Sequence, residues 1–466
     1  MGVSEDKGLS ISVRSFITAI IVIFVLMCGT YVLSVVVPGG IYMRVPDENG
    51  NLLIDTSGGF TYVDGGIPFW KWILSPVLVL GASGSGTLIA VILFLLVIGG
   101  IFNSLEVCGL MKYMLDRIAS KFGEVRYRLM AVLLFFFMAL GAMIGSFEEC
   151  VPLVPIVVAL AVKLGWDPLT GMSMSLLAVG CGFASGVCNP FTVGVAQQLA
   201  GIPMFSGVWM RVLSFFLIYA LLFLFVRAYA RKIEKPMQSV ERISFIPDRK
   251  QDCGLVWFGA ILGTGILLVL SSAFIPALQS LTMVVVAITF LAAGIVSCLV
   301  SGMKLSALGK SAWEGIRNII PAVAMILMAS SVKYTLEEAQ VLDTILHRAI
   351  VLAETMPKWL VILFIYLIVL VMNFFIPSGS AKAFMLIPLI VPMAQIFGIS
   401  TQLCIVAFAF GDGFSNVLYP TNPALLISLG LANVSYGEWF KWSWKFQGMN
   451  LLLTSFLLLF GLFAGY

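Results

Sequence analysis

Gly145-Ser146-Phe147-Glu148-Glu149-Cys150 lies between two apolar arms, residues 129–144 and 151–162. A membrane-spanning helix needs about 20 apolar residues, and neither arm comfortably supplies them alone. Together they read as a re-entrant hairpin that dips into a bilayer and returns. Its tip carries two carboxylates. An acidic residue at the centre of a spanning helix costs roughly 2.5–3.5 kcal/mol on insertion scales. A chain that keeps two of them there has a cation, a proton or a partner for them.

A second stretch, Ile376-Pro377-Ser378-Gly379-Ser380-Ala381-Lys382, sits between apolar arms 359–375 and 383–397. One offset, 382 − 149 = 233 positions, places Glu149 on Lys382, Pro155 on Pro388, Gly165 on Gly398 and Gly180 on Gly413. It also places Asn189-Pro190 on Asn422-Pro423. A register held from Glu149 to Pro190 matches a hairpin, the helix after it and a polar break within that helix.

Composition bounds the class. The 466 residues are 60% hydrophobic and 11% charged, with a mean hydropathy of +1.06, whereas a soluble globular chain carries about 25% charged residues. The apolar runs are helix-length, and no alternating barrel pattern is present. The net charge of +4 comes from basic residues clustered in loops, a topology signal and not a nucleic-acid one. Eight cysteines are scattered through apolar segments without CxxC spacing, and the single histidine, His347, excludes a histidine-rich metal site. The glycine-rich run 81–87 lacks the lysine of a phosphate-binding loop and reads as a flexible lead-in to a helix. The N-terminal stretch 1–14 shows no signal-peptide cleavage pattern.

The segments can be ordered by apolar length and loop charge. Residues 16–37 go out, and a net acidic, Gly-rich stretch 38–72 (Asp47, Glu48, Asp55, Asp64) suits an external loop. Residues 88–105 return. Stretch 106–128 carries Lys112, Arg117, Lys121, Arg126 and Arg128 and reads as an amphipathic helix on the inner surface. The first hairpin stays inside, an interrupted helix beginning near Pro168 goes out, and 207–229 returns to the most basic loop (Arg227, Arg231, Lys232, Lys235, Arg242, Arg249, Lys250). That loop is cytoplasmic by the positive-inside rule. A linker helix, 254–275, lets the second half start from the opposite side. Residues 281–300 come in, a patch with Lys304, Lys310 and Arg317 follows, and 318–332 go out. Stretch 333–358 mirrors the first amphipathic stretch, the second hairpin enters from outside, and the second broken helix, 402–432, runs inward. Trp439, Trp442 and Trp444 read as interface anchors at the inner face, and 449–465 exit.

The fold class expected is an all-α polytopic membrane protein with two inverted-topology repeats, each with a re-entrant hairpin and a discontinuous helix, plus a linker helix. The parts are 1–128 (scaffold of repeat one), 129–202 (its hairpin and broken helix) and 203–280 (spanning helix, basic loop, linker helix). They continue with 281–358 (scaffold of repeat two), 359–432 (its hairpin and broken helix) and 433–466 (C-terminal helix). The expected setting is a bacterial cytoplasmic membrane, with the N-terminus inside and the C-terminus outside.

Inverted repeats with paired broken helices are a transporter architecture whose site lies at the repeat interface. Hairpin tips and breaks, here Gly182–Thr192 and Gly411–Pro423, should converge there. Helix N-termini can hold a carboxylate, and exposed carbonyls can hold Na⁺. The candidate substrate ligands are Ser146, Glu148, Glu149, Asn189, Thr192, Ser378, Gly379, Ser380, Lys382, Thr421 and Asn422. The candidates for Na⁺ or H⁺ coupling are Glu148, Glu149, Ser185, Asp412, Ser415 and Asn416, with Gly182, Ser185, Gly413 and Ser415 as a Na⁺ set. The charges, Glu148 and Glu149 in repeat one against Lys382 in repeat two, fit a zwitterion with an extra positive group. The plainer reading is a Glu149–Lys382 ion pair that only ties the hairpins together. A protonatable Glu is a third reading. No resident cofactor is expected; the partners expected are a small amino acid or carboxylate and the lipid bilayer.

The chain resembles the YfcC-type basic amino-acid antiporters, related to the anaerobic C4-dicarboxylate carriers. The resemblance rests on Val36-Val37-Pro38-Gly39-Gly40-Ile41-Tyr42, Gly145-Ser146-Phe147-Glu148-Glu149, Asn189-Pro190-Phe191-Thr192 and Pro420-Thr421-Asn422-Pro423. It implies the ion-transporter superfamily fold, a homodimer with a scaffold domain, and a transport domain moving as an elevator. In sodium-coupled dicarboxylate relatives the hairpin tips carry Ser-Asn-Thr triplets. Their replacement here favours an amino-acid substrate, such as arginine exchanged for ornithine. The alternative is a Na⁺- or H⁺-coupled carrier of a C4-dicarboxylate, another carboxylate or a short peptide. A channel needs a continuous pore, and an enzyme needs a nucleophile–base pair that a lone Glu-Glu does not make.

Overall fold

The computed structural model describes residues 13–46, 52–54, 59–82, 85–122, 125–145, 147–203, 205–234, 247–272, 282–353 and 355–466. Outside them lie the N-terminal stretch 1–12, Asp47, Glu48, Asp55, part of the glycine-rich run (83–84), Ser146, Lys235, Arg242 and segment 273–281 that follows the linker helix.

By length and composition, seven helices of the described residues could cross a membrane, or eight if one bent pair is counted as a span. That pair is Leu96–Val107 and Leu110–Ile118, whose axes differ by 73°. The bend falls at Gly109, which adopts φ +78°, a left-handed conformation that a Cβ disfavours. Beyond it, Leu110–Phe122 carries its charges on one face, as the sequence pattern expects of a helix lying along a surface.

The first hairpin is the Arg126–Ile144 helix, a left-handed Gly145 cap, a 3₁₀ turn over Glu148–Leu153 and the Val154–Lys163 helix. The second is the Lys358–Phe375 helix, a turn at 376–378 and the Gly379–Ile396 helix. Each is followed by an interrupted helix. Residues Pro168–Ser185 stop at Gly186, whose φ is +50°, and the chain resumes at Pro190. Thr401–Asn416 stops at Val417 and resumes as Pro423–Leu431. The breaks are therefore 186–189 and 417–422, narrower than the sequence implied. Glycine lowers helix propensity without abolishing it, so Gly182 and Gly413 lie inside helices that end later.

These interrupted helices are the centre of the molecule. Pro168–Ser185 is 89% buried, against 33–53% for the other membrane-length helices. The two cross at small residues. A Cβ on Gly413 would lie 2.2 Å from Ala184 N, and one on Gly180 would lie 2.5 Å from Val417 Cγ1. Shifted by 233, Gly180 becomes 413 and Ala184 becomes 417, so the same contact is made twice in reciprocal form.

Three elements differ from the sequence expectation. The acidic stretch after the first helix contains a nested antiparallel ribbon: β1 (Gly39–Tyr42) pairs with β4 (Phe60–Val63), and β2 (Arg44–Pro46) with β3 (Leu52–Ile54). Its aromatic and β-branched residues favour pleated backbone. The ribbon docks on Val341–Ala353, with Tyr42 N donating to Asp343 Oδ2 at 3.0 Å and Arg44 paired to Asp343 at 2.8 Å. A cavity of about 300 Å³ lies between them and Met385 of the second hairpin. Second, Lys310, Arg317 and the apolar run after them form one continuous helix, Leu305–Glu338, of 34 residues. Lysine and arginine are good helix formers, so the charged patch does not end it. Third, Trp439 faces the protein core and not lipid. It is fully buried, and its Nε1 donates to Val417 O at 2.7 Å.

Candidate functional site

Lys382 stands in the first turn of the Gly379–Ile396 helix, after the Ser378 N-cap. Its side chain and that of Asp412 are both 0% exposed and lie 2.6 Å apart, Nζ to Oδ1. Nζ also donates to Asn373 Oδ1 and, at 3.2 Å, to Ile376 O. Asn373 Nδ2 in turn lies 3.0 Å from Asp412 O, 2.6 Å from Ser415 Oγ and 2.9 Å from Asn416 Oδ1. Asn422 Nδ2 donates to the same Asn416 oxygen at 3.1 Å. Three elements of the second half, its hairpin, broken helix and break, are thereby joined by one polar network. Desolvating an ion pair is repaid only when such hydrogen bonds satisfy its remaining atoms.

Asn189 and Asn422 do equivalent work. Asn422 Oδ1 accepts from Ala424 N at 2.9 Å and from Leu425 N at 3.4 Å; Asn189 Oδ1 accepts from Thr192 N at 3.3 Å. Each asparagine caps the resuming helix, and the proline after it fills the first-turn position where no N–H is needed. The carbonyls left at the second break are met by the last helix: Trp439 holds Val417 O, and Tyr436 Oη donates to Leu418 O at 3.0 Å.

The hairpin tips touch the breaks through glycine. A Cβ on Gly145 would lie 2.2 Å from Asn189 Oδ1. One on Gly379 would lie 2.4 Å from Thr192 Cγ2 and 2.6 Å from Asp412 Oδ2. Gly379 thus brings the second hairpin against both halves at once. At this junction Thr192 Oγ1 and Asp412 Oδ2 are buried and have no hydrogen-bond partner; Thr421 Oγ1 in the second break is likewise orphaned. Glu148, half-buried at the first tip, lies within electrostatic reach of Asp412. Ser378 is exposed and Ser380 half-buried.

The structure therefore brings together Glu148, Asn189, Thr192, Gly379, Lys382, Asp412, Ser415, Asn416 and Asn422. Lys382 pairs with Asp412; the Glu149–Lys382 pair expected from the sequence involves a side chain outside the described residues. Only the backbone of Glu149 is described, within the 3₁₀ turn. Gly182 O accepts from Gly186 N at 3.1 Å and from Ser185 Oγ at 2.7 Å, and Ser415 Oγ donates to Gly411 O at 2.8 Å. Among the described residues no group of three or more His, Cys, Asp or Glu could hold a metal ion. Sequence reasoning missed Asn373, whose one signal is an amide inside an otherwise apolar arm. It also missed Arg211, a guanidinium inside the apolar run 207–229.

Buried interrupted helices met at their breaks by hairpins, in a bundle of membrane-length helices, define a multi-pass membrane transporter. The chain belongs to the DcuC family of C4-dicarboxylate anaerobic carriers, whose family model matches residues 16–463. It is 29% identical over 413 residues to the Escherichia coli (strain K12) protein described as "Putative basic amino acid antiporter YfcC", covering 82% of this chain and 80% of that one. An uncharacterised protein of Haemophilus influenzae is 24% identical over 393 residues, covering 81% and 76%. Among solved structures, the Alcanivorax borkumensis YdaH transporter aligns with a TM-score of 0.45 at 20% identity, over 97% of this chain and 99% of that one. Neisseria gonorrhoeae MtrF aligns with 0.46 at 18%, over 96% and 95%.

Proposed function

We propose that the protein is a secondary transporter of a small amino acid, a basic amino-acid antiporter of the arginine/ornithine type working by alternating access. The observation that carries the reading is the orphaned carboxylate oxygen at the junction of the halves. Lys382 meets Asp412 through Oδ1, leaving Oδ2 without a partner at the point where Gly379 approaches both that oxygen and Thr192 Cγ2. Glu148 adds further negative charge within reach. A buried acceptor left unmade costs about 1–3 kcal/mol, more when charged. An ammonium or guanidinium group bound there removes that cost. The reciprocal Gly180–Val417 and Gly413–Ala184 contacts support two halves related by a pseudo-twofold axis. Such halves can present the junction alternately to either side.

The family description favours a second reading, Na⁺- or H⁺-coupled uptake of a dicarboxylate. Proteoliposomes decide between them. Labelled arginine is offered outside vesicles loaded with ornithine, with and without a Na⁺ or pH gradient. The antiporter reading expects uptake that requires internal ornithine and no ion gradient. Gradient-driven succinate uptake with no arginine uptake would replace it with the carboxylate reading, and would make Asp412 and Glu148 the coupling-ion site.

A further inference from the structure

Arg211 lies near the start of the Val208–Ile233 helix, and its side chain is buried, with the residue 0% exposed. Its Nε donates to Val187 O at 3.3 Å, inside the first break. Nη1 and Nη2 have no hydrogen-bond partner. These two atoms carry all but one of a guanidinium's five N–H donors. The titratable side chains facing it are the Cys188 thiol and the Tyr466 hydroxyl, and the latter donates to Gly207 O. Neither is an anion that could pair with it, and no recorded ion pair of the described residues includes Arg211.

A purely structural role explains part of this. The helix ending at Ser185 leaves carbonyls at a negative dipole end, and a cation there is favourable. In the second half the equivalent duty falls to Trp439, which meets Val417 O with its single N–H. A tryptophan satisfies that carbonyl without bringing a charge. Arginine brings one that stays protonated, together with a planar fork that matches a carboxylate's two oxygens. The other buried cation at the breaks, Lys382, already has Asp412. The first break also joins Arg211 to the first hairpin, since Gly145 abuts Asn189 while Arg211 holds Val187. Residues this close in sequence separate the two contacts by less than about 10 Å of extended chain, the scale of one amino-acid molecule.

We propose that Arg211 binds a carboxylate group of the transported molecule at the first helix break, through Nη1 and Nη2. The proposal rests on the reading above only in requiring that the cargo carry a carboxylate, which basic amino acids and dicarboxylates share. Binding is measured on purified protein in detergent by calorimetry, with arginine, with agmatine (the same guanidinium without the carboxylate) and with succinate. For a basic amino-acid carrier, Arg211→Met should weaken arginine by about 30-fold or more, as removal of one partner of a buried charge pair does, and leave agmatine unchanged. Arg211→Lys keeps the charge and loses the fork, so an intermediate loss is expected, and it serves if the methionine variant fails to fold. If the wild type takes succinate and not arginine, the same loss for succinate upholds the role of Arg211 while removing the basic amino-acid reading. Equal weakening of arginine and agmatine, unchanged affinity in both variants, or a wild type that binds neither carboxylate would overturn the proposal.

Discussion

Lys382 and Asp412 hold each other in a site without water access, so removing either leaves a lone buried charge. Breaking such a pair costs roughly 3–5 kcal/mol, whereas replacing both partners by apolar groups is often neutral. Lys382→Met should therefore lower the melting temperature of the purified protein sharply, and Lys382→Met with Asp412→Leu should recover most of it. Transport separates structure from function: if Asp412 Oδ2 receives the cargo, the recovered double variant stays inactive. A stable and active double variant would reduce the pair to a tie between hairpin and helix. Asp412 and Lys382 were both legible in the sequence, but their partnership was not. The positions equivalent to Asn373, Asp412 and Asn416 in the first half are Leu140, Val179 and Phe183. No repeat comparison could announce a polar network that only one half possesses.

The crossing of the interrupted helices yields a sharper test, because two equivalent glycines face different atoms. A Cβ on Gly180 meets the tip of Val417, while one on Gly413 meets the backbone N and Cα of Ala184 at 2.2 and 2.3 Å. A side chain can be trimmed and a backbone cannot. Gly180→Ala should reduce stability and transport, and adding Val417→Ala should restore both. Gly413→Ala should be more damaging, and no side-chain substitution at position 184 should rescue it. Thermal unfolding and uptake of the variants check this; a tolerated Gly413→Ala would mean that the helices can separate there. At this scale the sequence was most informative, since Asn-Pro and glycine act through local backbone chemistry. They marked both breaks, although the helices run a few residues further before ending. The ribbon escaped because its strands of three or four residues are held by Asp343 and Gln340, hundreds of positions away. The Leu305–Glu338 helix escapes a reading that takes charge as a boundary, since Lys310 and Arg317 continue it and it also carries Pro321 within its length.

Among the described residues the ion pairs gather in two groups besides the Lys382–Asp412 core. One ties the ribbon region to the end of the long helix and the start of the Val341–Ala353 helix, through Arg44–Asp343 and Lys71–Glu338, with Lys333–Glu337 beside them on the long helix. The other ties the amphipathic stretch to the ends of neighbouring helices, through Arg117–Asp252, Lys163–Asp116 and Arg126–Glu234. Apart from Lys333–Glu337, each pair joins segments that loop charge assigns to one side, the second group carrying the basic excess that favours the cytoplasm. Cys253 is exposed beside Asp252. Between it and the C-terminus lie five crossings, 249–272, 282–300, 305–338, the broken helix 401–431 and 436–463, if the hairpin does not cross. An odd number puts Cys253 and the C-terminus on opposite sides. With Cys253 as the sole remaining cysteine, a membrane-impermeant maleimide should label it only after cells are permeabilised, while a C-terminal tag is reached in intact cells. Reversed access at both sites would invert the orientation and leave the two-repeat arrangement intact. Access to both from the same side would require one arm of the second hairpin to cross alone or another segment to fail to cross, since two crossing arms add two spans and keep the number odd, and either would remove the inverted relation that the proposed function assumes.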